Sequence, residues 1–194
     1  MTTNYLILVN EDNRLPDNFE DTIELVNYVN EFDKELIIEK KTLDAFLRLK
    51  EEVYKTYGIE IELSSVYRDI DAQEEIYERY LKEFGEEYAK KYVALPAHSE
   101  HHTGLAIDIS VKADGEWTRD NKARFKADAI FKKVQSRLSS NGFILRYPQG
   151  KEHITKIGYE PWHFRYIDSP SIAKEITDKG IAFEEYFKNL SFQV

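Results

Sequence analysis

The segment 99–108 constrains the fold of this chain more than any other. His101 lies in a polar stretch, Gly104 allows a turn, and apolar and polar side chains alternate from Ala106 onward. This alternation predicts a half-buried strand in which Asp108 points away from its apolar neighbours. The segment therefore predicts a loop that supplies a histidine, followed directly by a strand that supplies a carboxylate.

Composition predicts one folded domain over residues 1–194. Apolar residues make up 42% of the chain and aromatic residues 13%, which is typical of a globular protein with a sizeable core. We find no internal repeat and no linker rich in Pro, Gly or Ser. A formal net charge of −9 argues against nucleic acid as a partner, because phosphate binding needs a basic surface.

The chain has no cysteine, so a metal ion would have to be held by nitrogen and oxygen atoms. The apolar run at residues 5–9 is too short for a signal peptide or a membrane-spanning helix. These observations predict a cytoplasmic protein without a membrane segment. Membrane anchoring or export through a segment outside this sequence is the alternative.

Hydrophobic periodicity predicts an α+β fold, with helices packed on a small, mostly antiparallel sheet. Strands are predicted at 5–9, 59–65, 106–111, 143–147 and 162–166. Helices are predicted from Thr42 to Gly58, after Arg68, over 127–138, and over 172–190 with a break near Gly180. Thr42 is the predicted N-cap of the first helix, and Asp71 with Glu74 has the spacing of a capping box in the second.

A second segment, Glu160-Pro-Trp-His163, adds a histidine and a carboxylate. Two histidines, an aspartate and a glutamate suit a hydrolytic zinc site, which needs three ligands, an open position for water and a base. Taken alone, however, a histidine on an aromatic strand is more often a hydrogen-bonded core residue than a ligand. An arginine such as Arg68, between a strand and a helix, is likewise more often a solvated charge than part of a site.

Three motifs, in order along the chain, resemble the VanY-type D-alanyl-D-alanine carboxypeptidases. They are Ser65-x-x-Arg68, Ser99-Glu-His101-x-x-Gly104-x-Ala106-x-Asp108 and Glu160-x-Trp-His163. Within that family, the chain is most similar to the soluble bifunctional D,D-dipeptidase/D,D-carboxypeptidases. The resemblance implies the zinc fold that these enzymes share with hedgehog-type domains.

The resemblance also implies a role for each motif residue. Three residues are implied to bind Zn²⁺: His101, Asp108 and His163. Glu160 is implied as the catalytic base and Arg68 as the group that stabilises the oxyanion. Substrate contacts are implied for three polar residues: Ser99, Gln73 and Ser65. His102 and His153 fall outside the implied ligand set.

The chain departs from the family pattern at two places. Ala97-His98 stands where a pair containing glycine is expected, and Lys156 stands where a glycine is expected. Neither change removes an implied ligand or the base, so we expect the first to affect specificity and the second to affect only a turn.

The implied reaction is removal of a carboxy-terminal D-alanine from peptidoglycan precursor peptides, hydrolysis of the dipeptide D-Ala-D-Ala, or both. Three alternatives remain open at this point. They are an L,D-carboxypeptidase acting on muropeptides, an L-Ala-D-Glu endopeptidase, and a zinc-binding domain without catalytic activity. The sequence does not predict an oligomeric state.

Overall fold

The computed structural model describes residues 3–191 and contains two antiparallel sheets. A hairpin is formed by β1 (Leu25–Val29) and β2 (Glu35–Glu39). The main sheet has five strands: β3 (Ile61–Ser65), β4 (Ala106–Ala113), β5 (Glu116–Trp117), β6 (Phe143–Leu145) and β7 (His163–Tyr166). Its order is β3-β4-β7-β6, and β5 pairs with β4.

The α-helices surround this sheet. They are α1 (Lys40–Tyr57), α2 (Ile70–Phe84), α3 (Glu86–Tyr92), α4 (Asn121–Lys126), α5 (Asp128–Gln135), α6 (Glu152–Thr155), α7 (Pro170–Lys179) and α8 (Phe183–Ser191). Short 3₁₀ turns lie at Glu20–Thr22, Glu100–Thr103 and Ser139–Asn141. Within residues 3–191, no helix combines the length and the apolar character that crossing a bilayer requires.

One face of the main sheet packs against α1 and α5. Alternate residues of β4 and β7 point into this core, as the period of a strand dictates. Its fully buried side chains come from the sheet and from both helices, and they include Ile107, Ile109, Phe164, Phe46 and Phe131. Burial of each such side chain contributes about 1.5–3 kcal/mol.

The other face of the sheet carries polar groups and a smaller apolar cluster. Asp108 of β4 and His163 and Arg165 of β7 alternate with the core residues and therefore point to this face. At the β6 end, Ile144 packs against α7 and α8, where Ile176 is also buried. The sheet thus separates an apolar core on one face from a polar site on the other.

The predicted fold class is confirmed, because the structure combines helices with small antiparallel sheets. The predicted strand at 5–9 is wrong. This segment forms no strand, and the carbonyl groups of Tyr5 and Ile7 accept hydrogen bonds from the guanidinium of Arg165. A side-chain donor therefore satisfies backbone groups that a neighbouring strand would otherwise pair.

Both predicted helix caps are wrong by a few residues. Helix α1 is capped by Glu39, whose carboxylate accepts from the backbone N–H groups of Lys41 and Thr42. Helix α2 is capped by Asp69, which accepts from the N–H of Ala72. In both cases a carboxylate upstream of the predicted cap satisfies the free N–H groups of the first turn.

The sequence did not predict the β1–β2 hairpin, β5, α3, α4 or α6. Two predicted breaks are confirmed, since Gly58 and Gly180 both end helices in the left-handed conformation. The predicted helix at 127–138 is shorter, ends at Gln135 and continues into a 3₁₀ turn.

Gly104 connects the turn that carries His101 to β4. Its φ is +68°, and a Cβ atom there would lie 3.2 Å from the backbone nitrogen of Glu39 and 3.1 Å from the side chain of Leu25. We expect Gly104→Ala to lower the free energy of unfolding by about 2 kcal/mol or more, through backbone strain and the close contact. Urea denaturation measures this change.

Gly150→Ala is the matched control, because Gly150 also has a positive φ, +84°, but has open space around the position of a Cβ atom. We expect it to cost about 1 kcal/mol from backbone strain alone. An equal cost at both positions would contradict a steric role for Gly104.

Candidate active site

The pairing of β4 with β7 places Asp108 directly opposite His163. His101 comes from the 3₁₀ turn Glu100–Thr103, which ends at Gly104 immediately before β4. The turn folds back over the strand and brings the third side chain next to the other two. His101 and Asp108, seven residues apart in sequence, thereby meet the distant His163 on the polar face of the sheet.

His101, Asp108 and His163 form a group, called the donor group below, whose possible metal-binding atoms all lie within 4.8 Å of one another. His101 Nε2 is 3.5 Å from one carboxylate oxygen of Asp108, and His163 Nδ1 is 3.0 Å from the other. Zinc–ligand bonds of about 2.0–2.1 Å place tetrahedral ligands about 3.3 Å apart. The spacing and the nitrogen–oxygen donor set therefore fit Zn²⁺.

The ring nitrogens that face away from this position also suit a metal site. His101 donates from Nδ1 to the carbonyl oxygen of Val66 at 2.7 Å, which leaves the lone pair of Nε2 directed at the donor group. The Nε2 atom of His163 is buried, has no hydrogen-bond partner among the described residues, and lies 3.8 Å from Glu100. Histidines that bind metals usually donate their second N–H to a carbonyl or a carboxylate.

Burial and neighbouring charges set the pKa of each donor in the metal-free protein. Burial, reinforced by Arg68, lowers the pKa of His101 to about 4. Burial also acts on His163, but Asp108, Glu100 and Glu160 outweigh it and raise its pKa to about 9. Burial disfavours the charged form of Asp108, yet the two histidines hold its pKa well below the usual range.

Glu160 lies beside the donor group on the turn that leads into β7. Its Oε2 is 3.6 Å from His163 Nδ1, and its side chain is buried. Burial, together with the charge of Asp108, raises the pKa of Glu160 to about 8. A buried carboxyl group with a pKa near neutrality is suited to accept and return a proton.

A cavity of about 90 Å³ opens above these groups and is lined by Arg68, Gln73 and Ser99. The Nε of Arg68 and the Oε1 of Gln73 are polar atoms of its wall that are buried and have no hydrogen-bond partner within residues 3–191. Gln73 uses its amide nitrogen to donate to the carbonyl of Ala94 at 2.7 Å, so its oxygen remains available. Ser99 caps the 3₁₀ turn, where its hydroxyl accepts from His101 N.

Ser65 is not among the residues that line this cavity. It pairs with Asp108 across β3 and β4, next to an irregularity in the register. Its predicted substrate contact stays a prediction. The structure thus brings all the other predicted site residues to one cavity and leaves Ser65 in the adjacent strand.

The remaining histidines lie outside the donor group. His102 accepts from Ala97 N at Nε2 and contacts the carbonyl of Arg68 through Nδ1, so both of its ring nitrogens are used. His153 is exposed. His98 contacts the carbonyl of Asn10 and borders a neighbouring cavity of about 310 Å³, together with Lys156.

Several cavity residues were not singled out from the sequence. Arg124 of α4 lies over the ring of Trp162 and donates to the hydroxyl of Ser64, while its Nε is buried without a hydrogen-bond partner from residues 3–191. Tyr147 packs its ring 4.7 Å from that of His163. Arg124 was missed because it lies on α4, a short helix in a polar region where no element was predicted.

A mixed helix–sheet fold with a His–Asp–His donor group and a buried glutamate beside it defines the class of zinc-dependent hydrolases. Residues 35–169 match the family VanY, D-alanyl-D-alanine carboxypeptidase. The chain belongs to this family, as its motifs predict.

Two relatives illustrate the similarity. The chain is 40% identical over 191 residues to the carboxypeptidase-like protein YodJ of Bacillus subtilis (strain 168), covering 96% of this chain and 68% of YodJ. It is 39% identical over 145 residues to VanXYC of Enterococcus gallinarum, a bifunctional D-Ala-D-Ala dipeptidase and carboxypeptidase, covering 73% of this chain and 74% of VanXYC.

Solved structures agree with this assignment. A mutant of the D,D-pentapeptidase VanY from a VanB-type resistance cassette, solved with Zn(II), superposes with a TM-score of 0.77 at 29% identity, covering 94% of this chain and 98% of that one. The LD-carboxypeptidase LdcB superposes with a TM-score of 0.79 at 37% identity, covering 96% and 86%. The donor group of this chain fits the same ion, as predicted.

Zinc binding is expected to release at least one proton at pH 7. His163 is protonated in the metal-free protein because its pKa is raised to about 9, whereas His101 is already neutral. Zn²⁺ binds through the Nδ1 lone pair of His163, so a proton on this nitrogen competes with the ion at pH values below about 9. The apparent Kd should therefore fall about tenfold per pH unit between pH 6 and pH 9.

Calorimetric titration of the metal-free protein with Zn²⁺, in buffers that differ in ionisation enthalpy, counts the released protons. An affinity that stays constant over this pH range would contradict the assignment of a protonated His163.

Proposed function

We propose that this chain is a zinc peptidase that removes a carboxy-terminal D-alanine from peptidoglycan precursor peptides and hydrolyses D-Ala-D-Ala. One observation carries the proposal: a His101–Asp108–His163 donor group shares a cavity with the buried carboxyl group of Glu160. VanXYC, 39% identical to this chain, is named for both activities, which supports the same substrate class here.

In this proposal, Zn²⁺ held by His101, Asp108 and His163 supplies Lewis acidity that polarises the scissile carbonyl and favours deprotonation of water. Glu160 accepts the proton of the attacking water and delivers it to the leaving amine. Its burial and raised pKa support this role, because a base of intermediate strength can both take up and release a proton.

Arg68 is proposed to stabilise the negative charge that develops on the carbonyl oxygen. The buried Nε of Arg68 has no hydrogen-bond partner in the described part of the chain, so the fixed cation is available to a ligand in the cavity. Charged donors held in a site shielded from water stabilise such an oxyanion strongly. Arg124 adds a second cation to the same wall, which suits a substrate that ends in a carboxylate.

Gln73 and Ser99 are proposed to orient the substrate. The free Oε1 of Gln73 is an acceptor and therefore suits an amide or ammonium N–H of the peptide. Ser65 is proposed to contact the substrate from the adjacent strand, β3. We further propose a cytoplasmic location and a single domain over residues 1–194, which stay predictions, as does any part in antibiotic resistance.

Release of D-alanine tests the proposal. We expect zinc-dependent release from D-Ala-D-Ala and from a pentapeptide ending in D-Ala-D-Ala, with loss of activity on chelation and recovery on addition of Zn²⁺. The ratio of the two rates distinguishes dipeptidase from carboxypeptidase activity. A tetrapeptide that ends in D-alanine after an L-residue tests the L,D alternative, which the similarity to LdcB favours.

Two outcomes would overturn the proposal. Release from the tetrapeptide alone would replace it with an L,D-carboxypeptidase. Zinc-loaded protein that cleaves none of the three substrates would point to a zinc-binding domain without catalytic activity.

A further inference from the structure

Glu100 and His163 face each other through two buried atoms that lack any other partner. Neither the Oε2 of Glu100 nor the Nε2 of His163 makes a hydrogen bond within the part of the chain that the structure describes. The two atoms lie 3.8 Å apart, which is too long for a hydrogen bond. A buried donor and a buried acceptor left unpaired at one place require an explanation, such as a ligand-bound state in which they pair.

Metal binding to His163 creates such a state. In the metal-free protein, Nδ1 is directed at Asp108, 3.0 Å away. A neutral imidazole carries one proton, so a ring that gives its Nδ1 lone pair to a metal keeps its proton on Nε2. That N–H is then a buried donor, and the acceptor it faces is Glu100.

The surroundings of Glu100 leave the correct oxygen available. Arg146 donates from Nε at 2.7 Å and Arg165 donates from Nη1 at 2.8 Å, and both bind Oε1. Both arginines are fully buried and hold the carboxylate from one side. Oε2 therefore remains free on the side of His163.

We propose that Glu100 is a positioning residue for the zinc site. Its Oε2 accepts the Nε2–H of metal-bound His163 and so fixes the tautomer and the orientation of the ring. For His101, the carbonyl of Val66 performs the equivalent task. The inference rests on the zinc site proposed above.

Glu100→Gln tests this role with little change in shape. The two arginine donors require an acceptor at the position of Oε1, so the amide oxygen takes that position and the NH₂ group turns toward His163. Two donors then face each other. We expect zinc affinity to fall about 10- to 100-fold, as for other partners of metal-binding histidines. Competition with a chromophoric chelator measures the affinity, and the visible spectrum of the Co²⁺-substituted protein should change as well.

Glu184→Gln is the matched control. Glu184 binds Arg146 through both of its carboxylate oxygens in the same buried cluster but does not contact His163. A role for Glu100 that is only structural would make the two variants lose zinc affinity equally, and this result would overturn the inference. We expect Glu184→Gln to keep the wild-type affinity within about threefold, less than the loss expected for a partner of a bound histidine.

The wild-type protein provides a test that does not depend on the folding of a variant. In the zinc-loaded protein, long-range ¹H–¹⁵N NMR spectra should show a slowly exchanging proton on His163 Nε2, which Glu100 protects. A metal-bound Nε2 or a rapidly exchanging proton would overturn the inference. Failure of the wild-type protein to bind zinc would instead overturn the proposed zinc site itself.

Discussion

Replacing Glu160 by glutamine should lower kcat about 10²- to 10⁴-fold while leaving zinc bound. The amide has nearly the same shape as the carboxyl group but cannot accept a proton from water, and positioned bases contribute rate enhancements of this size. Zinc should remain because Glu160 does not belong to the His–Asp–His donor group. D-alanine release and metal content, measured on the same preparation, test both parts.

The stability of the metal-free Glu160→Gln variant provides an independent test of the protonation of Glu160. Burial raises the pKa of Glu160 to about 8, so the metal-free fold favours the protonated form. The stability that the protonated carboxyl group of Glu160 contributes is fully present at pH values below its pKa in the unfolded chain. It is lost as the pH rises through about 8. A neutral glutamine does not ionise, so metal-free Glu160→Gln should be at least as stable as the wild type above pH 8.

Glu175→Gln is the control for this experiment. Glu175 is exposed on α7 and pairs with Lys179, one turn along the helix. We expect no change in kcat for it. Substantial activity in zinc-loaded Glu160→Gln would exclude Glu160 as the base.

Replacing Arg146 by methionine should lower the free energy of unfolding by about 3–5 kcal/mol, the range for breaking a buried ion pair. Arg146 is fully buried and binds Glu100 through Nε and Glu184 through both Nη atoms. Removing it leaves the buried carboxylates of Glu100 and Glu184 without the cation that they share. Unfolding should be measured on metal-free protein, because bound zinc shifts apparent stability by mass action.

Lys40→Met is the matched surface control. Lys40 pairs with Glu24 at 2.7 Å, but both side chains are more than half exposed. We expect its loss to cost much less stability than the loss of Arg146, because ion pairs between exposed side chains contribute little. Adding Glu184→Gln to the Arg146→Met protein should restore part of the stability, because one stranded charge is removed. If Arg146→Met and Lys40→Met lose similar amounts of stability, the buried cluster is not a major stabilising element.

The cluster around Arg146 also explains why the amino-terminal segment does not form the predicted strand. Arg165 donates to the carbonyls of Tyr5 and Ile7, and Asn10 donates to Glu184. The segment is held by side chains from β7 and α8 rather than by a neighbouring strand. Because these partners are more than 150 residues away in sequence, no local pattern indicates them.

The backbone explains why the family pattern has glycine near the two positions at which this chain departs from it. Ala97 has a φ of +65° and Lys156 a φ of +63°, so both occupy the left-handed region that favours glycine. The fold thus requires this conformation at both positions, although this chain has residues other than glycine there. Each costs roughly 1–2 kcal/mol relative to an unstrained backbone.

The sequence by itself determined the types of the candidate site residues, their order, and the alternation that turns Asp108 away from Ile107 and Ile109. These are local properties, set by side-chain chemistry and by the two-residue period of a strand. The same local information predicted the helix ends at Gly58 and Gly180, where only the conformation of one residue matters.

Only the tertiary structure decided that Asp108 lies opposite His163, which ring nitrogens face the donor group, and that Glu100 stands behind it. Strand alternation specifies faces but not which distant strand is the neighbour or in what register. The register between β4 and β7 follows from how the core packs, because it pairs residues that are 55 positions apart in sequence. A buried site depends on that long-range packing, because the geometry of its atoms is set by several elements at once.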